Sequence, residues 1–287
     1  MRPALTFALL VTMAVSLAGQ SSSSTEESIV PLAGVRLRVR DTGGTGVPIV
    51  LLHANTGTVD IWEPQFPAFS RAGYRVIAFD RRGWGRSVPN PATGPQPGTV
   101  ADDLEALAVH LRLPRFHLVG TAGGGFVALD YASAFPQRVL SLVVAASSGG
   151  IEEEQEMDAL RDRLRFPGFT STPTEFRELG VSYRAAQPDG VRRWVEIERR
   201  AQQPGAVSQP FKSTQTFAKL ATVAVPTLIL AGGADLLAPP AMMQLLVKRI
   251  PSAQFVVVPD AGHAVAWEQP DAFNTIVLQF IARPHTR

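Results

Sequence analysis

The sequence predicts a doubly wound α/β fold that consists of a mostly parallel sheet and an inserted helical cap. Apolar runs rich in β-branched residues alternate with helix-like segments in both halves of the chain, whereas residues 147–216 are helical in pattern and more charged. Strands that are buried on both faces of a parallel sheet form such continuous apolar runs. Their alternation with helices favours a parallel order. The 287 residues suffice for one domain of this kind.

The first predicted strand is VRLRVR (35–40), whose alternating apolar and basic residues indicate a half-exposed antiparallel edge strand. A helix is predicted to begin after Thr99, because Asp102 stands three residues further on in a capping-box arrangement. Another helix begins within LVGTAGGGFVALDYA (118–132), and WEQPDAFNTIVLQFIA forms the last one. Buried strands are predicted at residues 47–52, 74–79, 116–120 and 139–146, and the strand pattern resumes at 226–233 and 253–259.

Changes in these patterns predict the domain boundaries. Residues 1–19 combine Arg2, an apolar stretch and small residues at a cleavage position, which indicates a signal peptide and an exported, periplasmic or secreted protein. An uncleaved anchor is the alternative. Residues 20–29 are predicted to be a flexible linker. The core is expected over residues 30–146 and 217–283, with the cap over 147–216.

Composition excludes several classes of function. The chain has no cysteine, so it has neither disulfides nor a thiolate nucleophile. The net charge is only +2 and no dense basic run is present, so we expect no nucleic-acid partner. We also expect no stable membrane association after signal cleavage. The five histidines lack a metal-ligand spacing, and no cofactor is implied. The expected partner is a small-molecule substrate, and the oligomeric state is not predicted.

Three loops follow predicted strands, at the edge where open parallel sheets place their sites. In the first, Gly120 and Gly124 bracket Ala122 in a G-x-[nucleophile]-x-G pattern, although the same glycines also suit a plain strand-to-helix turn. Asp235 and His263 follow in the other two loops. A histidine base needs an acid that fixes its tautomer. Other candidates for that acid are Asp60, Asp80 and Asp260.

These loops, together with VLLHANTGTVDIW and VIAFDRRGWGRS, resemble the α/β-hydrolase superfamily from about residue 30 to 283. The resemblance implies an eight-stranded type of sheet and a helical cap after VVAA. It also implies that His263 is the general base and Asp235 its orienting acid, and that the backbone N–H groups of Asn55 and Gly123 form the oxyanion hole. By the same resemblance, His53 supports its loop. Arg81 and Arg82 are expected to be turn and surface residues.

Ala122 departs from the family pattern, because it has no nucleophilic atom. A serine was replaced by engineering or lost, or the chain is a naturally serine-free member. Such a member would bind a ligand without catalysis, or would use a His–Asp pair for a lyase or water-activating step. A receptor module is a further alternative. Ser147 and Ser148 are candidate replacement nucleophiles, and dehalogenation would need an aspartate at position 122.

The resemblance predicts a hydrolase of a small or medium apolar ester, lactone or related acyl compound. Asp235 and His263 would form its acid–base pair, with Ala122 at the nucleophile position. Aromatic residues of the cap suggest an apolar roof over the site. The residues predicted to line the substrate pocket are Trp62, Phe176 and Trp194.

Overall fold

The computed structural model describes residues 25–152 and 154–283. The predicted signal peptide (1–19) and residues 20–24 of the predicted linker lie outside the described residues. The strands are β1 (Glu26–Leu32), β2 (Val35–Asp41), β3 (Pro48–Leu52), β4 (Arg75–Phe79), β5 (Val88–Pro89), β6 (Phe116–Thr121), β7 (Val139–Ala145), β8 (Thr227–Gly232) and β9 (Ala253–Val258).

The nine strands form one sheet in the order β1-β2-β4-β3-β6-β7-β8-β9, and β5 pairs with β2. From β4 to β9 along this order all neighbouring strands are parallel. The pairs that involve β1, β2 and β5 are antiparallel. The predicted fold class, a mostly parallel α/β sheet, is therefore confirmed. The strands that are buried in the sheet could be predicted because their sequences are continuous apolar runs.

The edge of the sheet differs from the prediction. β2 is not the edge strand, because β1 pairs with it from Glu26 to Leu32. Residues 26–29 therefore belong to a strand, and the predicted linker (20–29) was wrong for them. Only Val30 of β1 is buried, since an outer strand of a sheet needs few apolar contacts. Its polar sequence consequently resembles a linker.

Helices cover both faces of the sheet, which makes it doubly wound. One buried cluster joins the sheet to α2 (Val100–His110), α3 (Gly123–Ala134) and α9 (Pro240–Val247), and includes Phe116 and Tyr131. A second cluster on the opposite face joins it to α1 (Gln65–Arg71) and α11 (Pro270–Ile281), and includes Phe69 and Phe273. The helices are α1 (Gln65–Arg71), α2 (Val100–His110), α3 (Gly123–Ala134), α4 (Gln155–Leu164), α5 (Thr174–Glu178), α6 (Val181–Ala186), α7 (Pro188–Glu198), α8 (Phe217–Leu220), α9 (Pro240–Val247), α10 (Val265–Glu268) and α11 (Pro270–Ile281).

The predicted cap (147–216) contains the helices α4 to α7. An isolated bridge between Trp84 and Gln202 attaches this segment to the core. As predicted, α2 begins after Thr99, whose hydroxyl accepts a hydrogen bond from the N–H of Asp102 at 3.0 Å. No helix among the described residues is long and apolar enough to cross a membrane.

Candidate active site

The turn between β6 and α3 holds Ala122 in a strained conformation. Its dihedral angles are φ 49° and ψ −118°, which a residue with a side chain rarely adopts. The surrounding bonds fix it: the N–H of Ala122 donates to the carbonyl of Ala145 at 3.0 Å. Its carbonyl accepts from the hydroxyl of Ser147 at 2.8 Å and from the N–H of Gly125 at 2.9 Å. The turn therefore has the strained strand-to-helix geometry that is typical of a nucleophile elbow.

Two glycines let this turn pack directly against the neighbouring strands. A Cβ atom at Gly124 would collide with the carbonyl oxygens of Leu52, the last residue of β3, and of His53, which follows it. A Cβ atom at Gly125 would collide with the side chain of Ser147. The glycine-rich sequence after Ala122 is thus explained by close backbone approach rather than by looseness of the turn.

Asp235 and His263 lie together, as the prediction of an acid–base pair requires. The His263 Nδ1 atom is 2.8 Å from Oδ2 and 3.0 Å from Oδ1 of Asp235. The N–H groups of Leu237 and Ala238 donate to Oδ1 of Asp235 and hold the carboxylate in place. This arrangement makes Nδ1 the donor to the carboxylate and leaves Nε2 for a reaction partner.

The pKa of His263 is set by three carboxylates. Burial by itself would lower it, but the negative charges of Asp235, Glu178 and Glu268 raise the pKa of His263 to about 9. Asp60 and Asp80, two of the other acids considered from the sequence, instead contact Arg38. His263 is therefore positively charged at neutral pH.

Asn55 and Gly123, the predicted oxyanion donors, are adjacent. A Cβ atom at Gly123 would collide with the side-chain amide of Asn55. Among the described residues, we find no hydrogen bond donated by the backbone N–H of either one. Their position suits the predicted role, which stays a prediction.

His53 supports this loop, as expected. Its Nδ1 donates to the carbonyl of Ala54 at 2.7 Å, and its Nε2 accepts from the backbone N–H of Arg81 at 3.0 Å. Complete burial lowers the pKa of His53 well below its usual value, and the nearby charge of Arg81 lowers it further. His53 is therefore a neutral structural residue.

Three neighbouring cavities surround the turn. The first, which we call the His263 cavity, has a volume of about 180 Å³, and the second, the Trp194 cavity, about 20 Å³. The third, the Arg81 cavity, has a volume of about 210 Å³. The His263 cavity brings together Ala122, Gly123, Asn55, Ser147, Ser148 and Glu178 around His263.

Of the three predicted pocket residues, only Trp194 lines one of these cavities, and it does so beside His263. Trp62 is fully buried in the core, where its ring packs 6.2 Å from that of Phe273. Phe176 is 40 % exposed and lies under the guanidinium of Arg184. The predictions for Trp62 and Phe176 were therefore wrong, since an aromatic side chain serves equally well in a core or on a surface.

Two further expectations about individual residues need correction. Arg81 and Arg82 are buried, at 5 % and 4 % exposure, rather than on the surface. The side chain of Arg82 is paired with Asp103 at 2.6 Å. Thr121, at the end of β6, also lines the Trp194 cavity with His263.

Glu178 is a site residue that the sequence did not indicate. It lies at the end of α5 in the cap and lines both the His263 cavity and the Trp194 cavity. It is 9 % exposed, and within the described part of the chain no hydrogen bond to its carboxylate is found. Burial raises the pKa of Glu178, while the charge of His263 opposes that rise. In the segment TEFREL this residue resembles an ordinary solvated helix charge.

The sheet order and the strained turn after β6 define a protein class, the α/β-hydrolase fold. A model of the alpha/beta hydrolase family matches residues 49–276 of this chain. The chain therefore belongs to the alpha/beta hydrolase family. Across residues 25–152 and 154–283, no cluster of three or more histidine or acidic side chains is placed to hold a metal ion.

Named relatives and solved structures share most of the chain. A Mycobacterium tuberculosis protein named as a non-heme bromoperoxidase, BpoC, is 30 % identical over 254 residues, covering 84 % of this chain and 96 % of that protein. A 2-hydroxy-6-oxononadienedioate/2-hydroxy-6-oxononatrienedioate hydrolase of Paraburkholderia phymatum is 28 % identical over 275 residues, covering 87 % of this chain and 93 % of its own. A thermophilic esterase structure from Thermogutta terrifontis has a TM-score of 0.75 and 26 % identity, covering 91 % of this chain and 100 % of that one.

Proposed function

We propose that this chain is a hydrolase for a small or medium ester, lactone or related acyl compound. Asp235 and His263 form its acid–base pair, and Ala122 occupies the nucleophile position. The observation that carries this proposal is that Ala122 keeps a strained elbow in the cavity that His263 lines. The relatives named as an esterase and as a hydrolase support it.

Backbone strain supports this function because a simple strand-to-helix turn does not need it. A residue held in such a conformation costs about 1–3 kcal/mol. Nucleophile elbows accept this cost because it exposes the reactive side chain above the sheet. A serine at position 122 would direct its hydroxyl from the same backbone, into the cavity shared with His263.

The expected substrate is less apolar than the aromatic residues of the cap suggested. Trp62 and Phe176 do not line the cavities, as shown above. The His263 cavity is instead lined by two charged residues, Arg165 and Glu178, and by the serines Ser147 and Ser148. We therefore propose an acyl compound with polar substituents.

The test is hydrolysis of a panel of chromogenic esters by the chain as given, by Ala122→Ser and by Ala122→Ser/His263→Ala. We expect turnover in Ala122→Ser that the second substitution abolishes. Because His263 must lose its proton to act as a base, kcat/KM of Ala122→Ser should rise with pH towards 9. A folded Ala122→Ser variant without turnover on any ester would reject this proposal. Sequencing codon 122 of the source gene distinguishes a natural alanine from an engineered one.

Glu178 favours a second candidate, which is hydrolysis without a covalent intermediate. Its buried carboxylate and the charged His263 line the same cavity as Ala122, where a serine hydroxyl is missing. Glu178 would take a proton from water, and the hydroxide would attack the acyl carbon. As the acyl–oxygen bond breaks, His263 would protonate the leaving alkoxide. Proton transfer from Glu178 to His263 then restores both groups.

The two candidates differ in pH dependence and in the variant that removes activity. In the serine-free reaction the chain as given is active, and its activity falls as pH rises through about 9 because His263 loses the proton it donates. Glu178→Gln abolishes that activity, whereas Glu175→Gln, on the same helix α5, serves as the matched control. Activity that survives Glu178→Gln would reject this candidate. Inactivity of every variant, with retained ligand binding, would reject both reactions.

A further inference from the structure

We propose that Arg81 binds a carboxylate group of the substrate, so that the substrate is an acyl compound with a second, anionic end. This inference rests on the proposed function and specifies its substrate class. Arg81 lines the Arg81 cavity, together with Asn55 and Gly123 of the candidate oxyanion pair.

Arg81 is a buried cation without a paired carboxylate. Its Nη2 atom donates to Oδ1 of Asn55 at 2.8 Å and to the carbonyl of Ala54 at 3.2 Å, and its guanidinium stacks 4.5 Å from the Trp84 ring. Within the described residues it forms no salt bridge. Burying an arginine without an opposite charge is costly, so a site that keeps one indicates an anionic ligand.

The adjacent arginine shows what a structural arginine in this turn looks like. Arg82 is equally buried, but both its Nε and Nη2 atoms donate to the carboxylate of Asp103. Its Nη1 atom donates to the carbonyl of Pro95 and to the side chain of Gln96. All three nitrogens of Arg82 are therefore occupied. By contrast, Nε of Arg81 is buried without a partner, and we find no partner for its Nη1 among the described residues.

The carboxylate that lines the same cavity as Arg81 is already paired with a lysine. Asp130 also lines the Arg81 cavity, but its carboxylate is 2.8 Å from the amine of Lys219 and accepts from the N–H of Lys212 at 2.9 Å. It therefore does not serve as the missing partner. Because burial is not offset by any carboxylate, the pKa of Arg81 falls to about 10, which still leaves the group charged at neutral pH.

The position of Arg81 relates the anionic end to the acyl group. The Arg81 cavity and the His263 cavity share Asn55, Gly123 and Phe126. A ligand that spans this shared wall would place a carboxylate at Arg81 and a carbonyl beside Ala122. Half-esters of short dicarboxylic acids have this arrangement, and a guanidinium fork matches the two oxygens of a carboxylate.

The test compares a charged probe with its neutral counterpart. The protein with Ala122 is titrated calorimetrically with monomethyl glutarate and with dimethyl glutarate, so that binding is measured without any need for turnover. We expect the half-ester to bind at least about tenfold more tightly, as charge-assisted hydrogen bonds predict. Equal dissociation constants for the two esters would overturn the proposal, and no variant is needed for this comparison.

Variants then assign the preference to Arg81. Arg81→Gln should abolish it, and Arg81→Lys, which keeps the charge without the fork, should retain part of it. Arg86→Gln is the matched control, because Arg86 lies in the same turn with 60 % of its side chain exposed. If Arg81→Gln weakened both probes equally, Arg81 would only support the Asn55 loop and the proposal would be wrong. Binding that depends on Arg81 in a chain whose Ala122→Ser variant is inactive would reject the proposed function but keep this site.

Discussion

The imidazole Nδ1 of His263 lies 2.8 Å from Oδ2 of Asp235, although 28 positions separate the two residues in the chain. The contact depends on two loops that follow the neighbouring strands β8 and β9. Because Asp235 is held by two backbone N–H groups, the orientation of the imidazole is fixed before any ligand binds. Preorganisation of this kind is what an acid–base catalyst requires.

We expect this pair to make stability depend on pH. The pKa of His263 is about 9 in the folded chain, above its ordinary value of 6.5. Its stabilising effect is therefore fully present below about pH 6.5 and is lost as pH rises through 9. In urea denaturation, the chain as given should lose on the order of 2 kcal/mol more unfolding free energy between pH 7 and 9.5 than His263→Gln does. Parallel pH curves for the two proteins would contradict the assignment of a charged His263.

The elements of the fold that could be predicted from the sequence are those that are buried. The strands β3, β4 and β6 to β8 are almost wholly buried and were found from their apolar sequences. β1 was missed because six of its seven residues are not buried, so its apolar residues do not alternate with polar ones as in a half-buried strand. Residues 26–32 form a strand because their backbone pairs with that of β2. Such pairing involves two segments and cannot be recognised from the side chains of one.

The site residues that could be predicted from the sequence are those in loops directly after predicted strands. The loops that carry Ala122, Asp235 and His263 each follow a strand, so a sheet brings them to one edge. Arg81 and Glu178 were missed because a single charge in the sequence gives no sign of whether its side chain is solvated or buried. Trp62 and Phe176 failed for the same reason, since the core, the cavity and the surface all accept an aromatic ring. Catalytic roles for the matched residues stay predictions that the variants above test.

A double-mutant cycle should show that Arg82 and Asp103 act as one buried pair. Both are 4 % exposed, and Nη2 of Arg82 lies 2.6 Å from Oδ1 of Asp103. Arg82→Met or Asp103→Leu alone should lower the unfolding free energy by about 3–5 kcal/mol, because each leaves a buried charge unpaired. The double variant should recover a large part of this loss. Losses that simply add would show that the two side chains contribute independently.

Ser147 should prove structural rather than catalytic. Its hydroxyl donates to the carbonyl of Ala122 at 2.8 Å and accepts from the N–H of Gly149 at 3.2 Å. Ser147→Ala should therefore lower the unfolding free energy by about 1–2 kcal/mol. In the Ala122→Ser background it should leave kcat on chromogenic esters within about threefold, a barrier change below 1 kcal/mol. Ser148→Ala is the control, and loss of activity in the chain as given on Ser147→Ala alone would identify Ser147 as a replacement nucleophile.

The strain at Ala122 itself can be measured. At φ 49° and ψ −118° alanine carries a conformational cost of about 1–3 kcal/mol, which glycine does not carry. Ala122→Gly should therefore raise the unfolding free energy by about 1 kcal/mol, after the greater chain entropy of unfolded glycine is subtracted. Ala106→Gly, in the interior of α2, is the control and should lower it by about 0.5–1 kcal/mol. If both substitutions destabilise equally in urea denaturation, the turn is not strained and the argument for an elbow at position 122 loses its support.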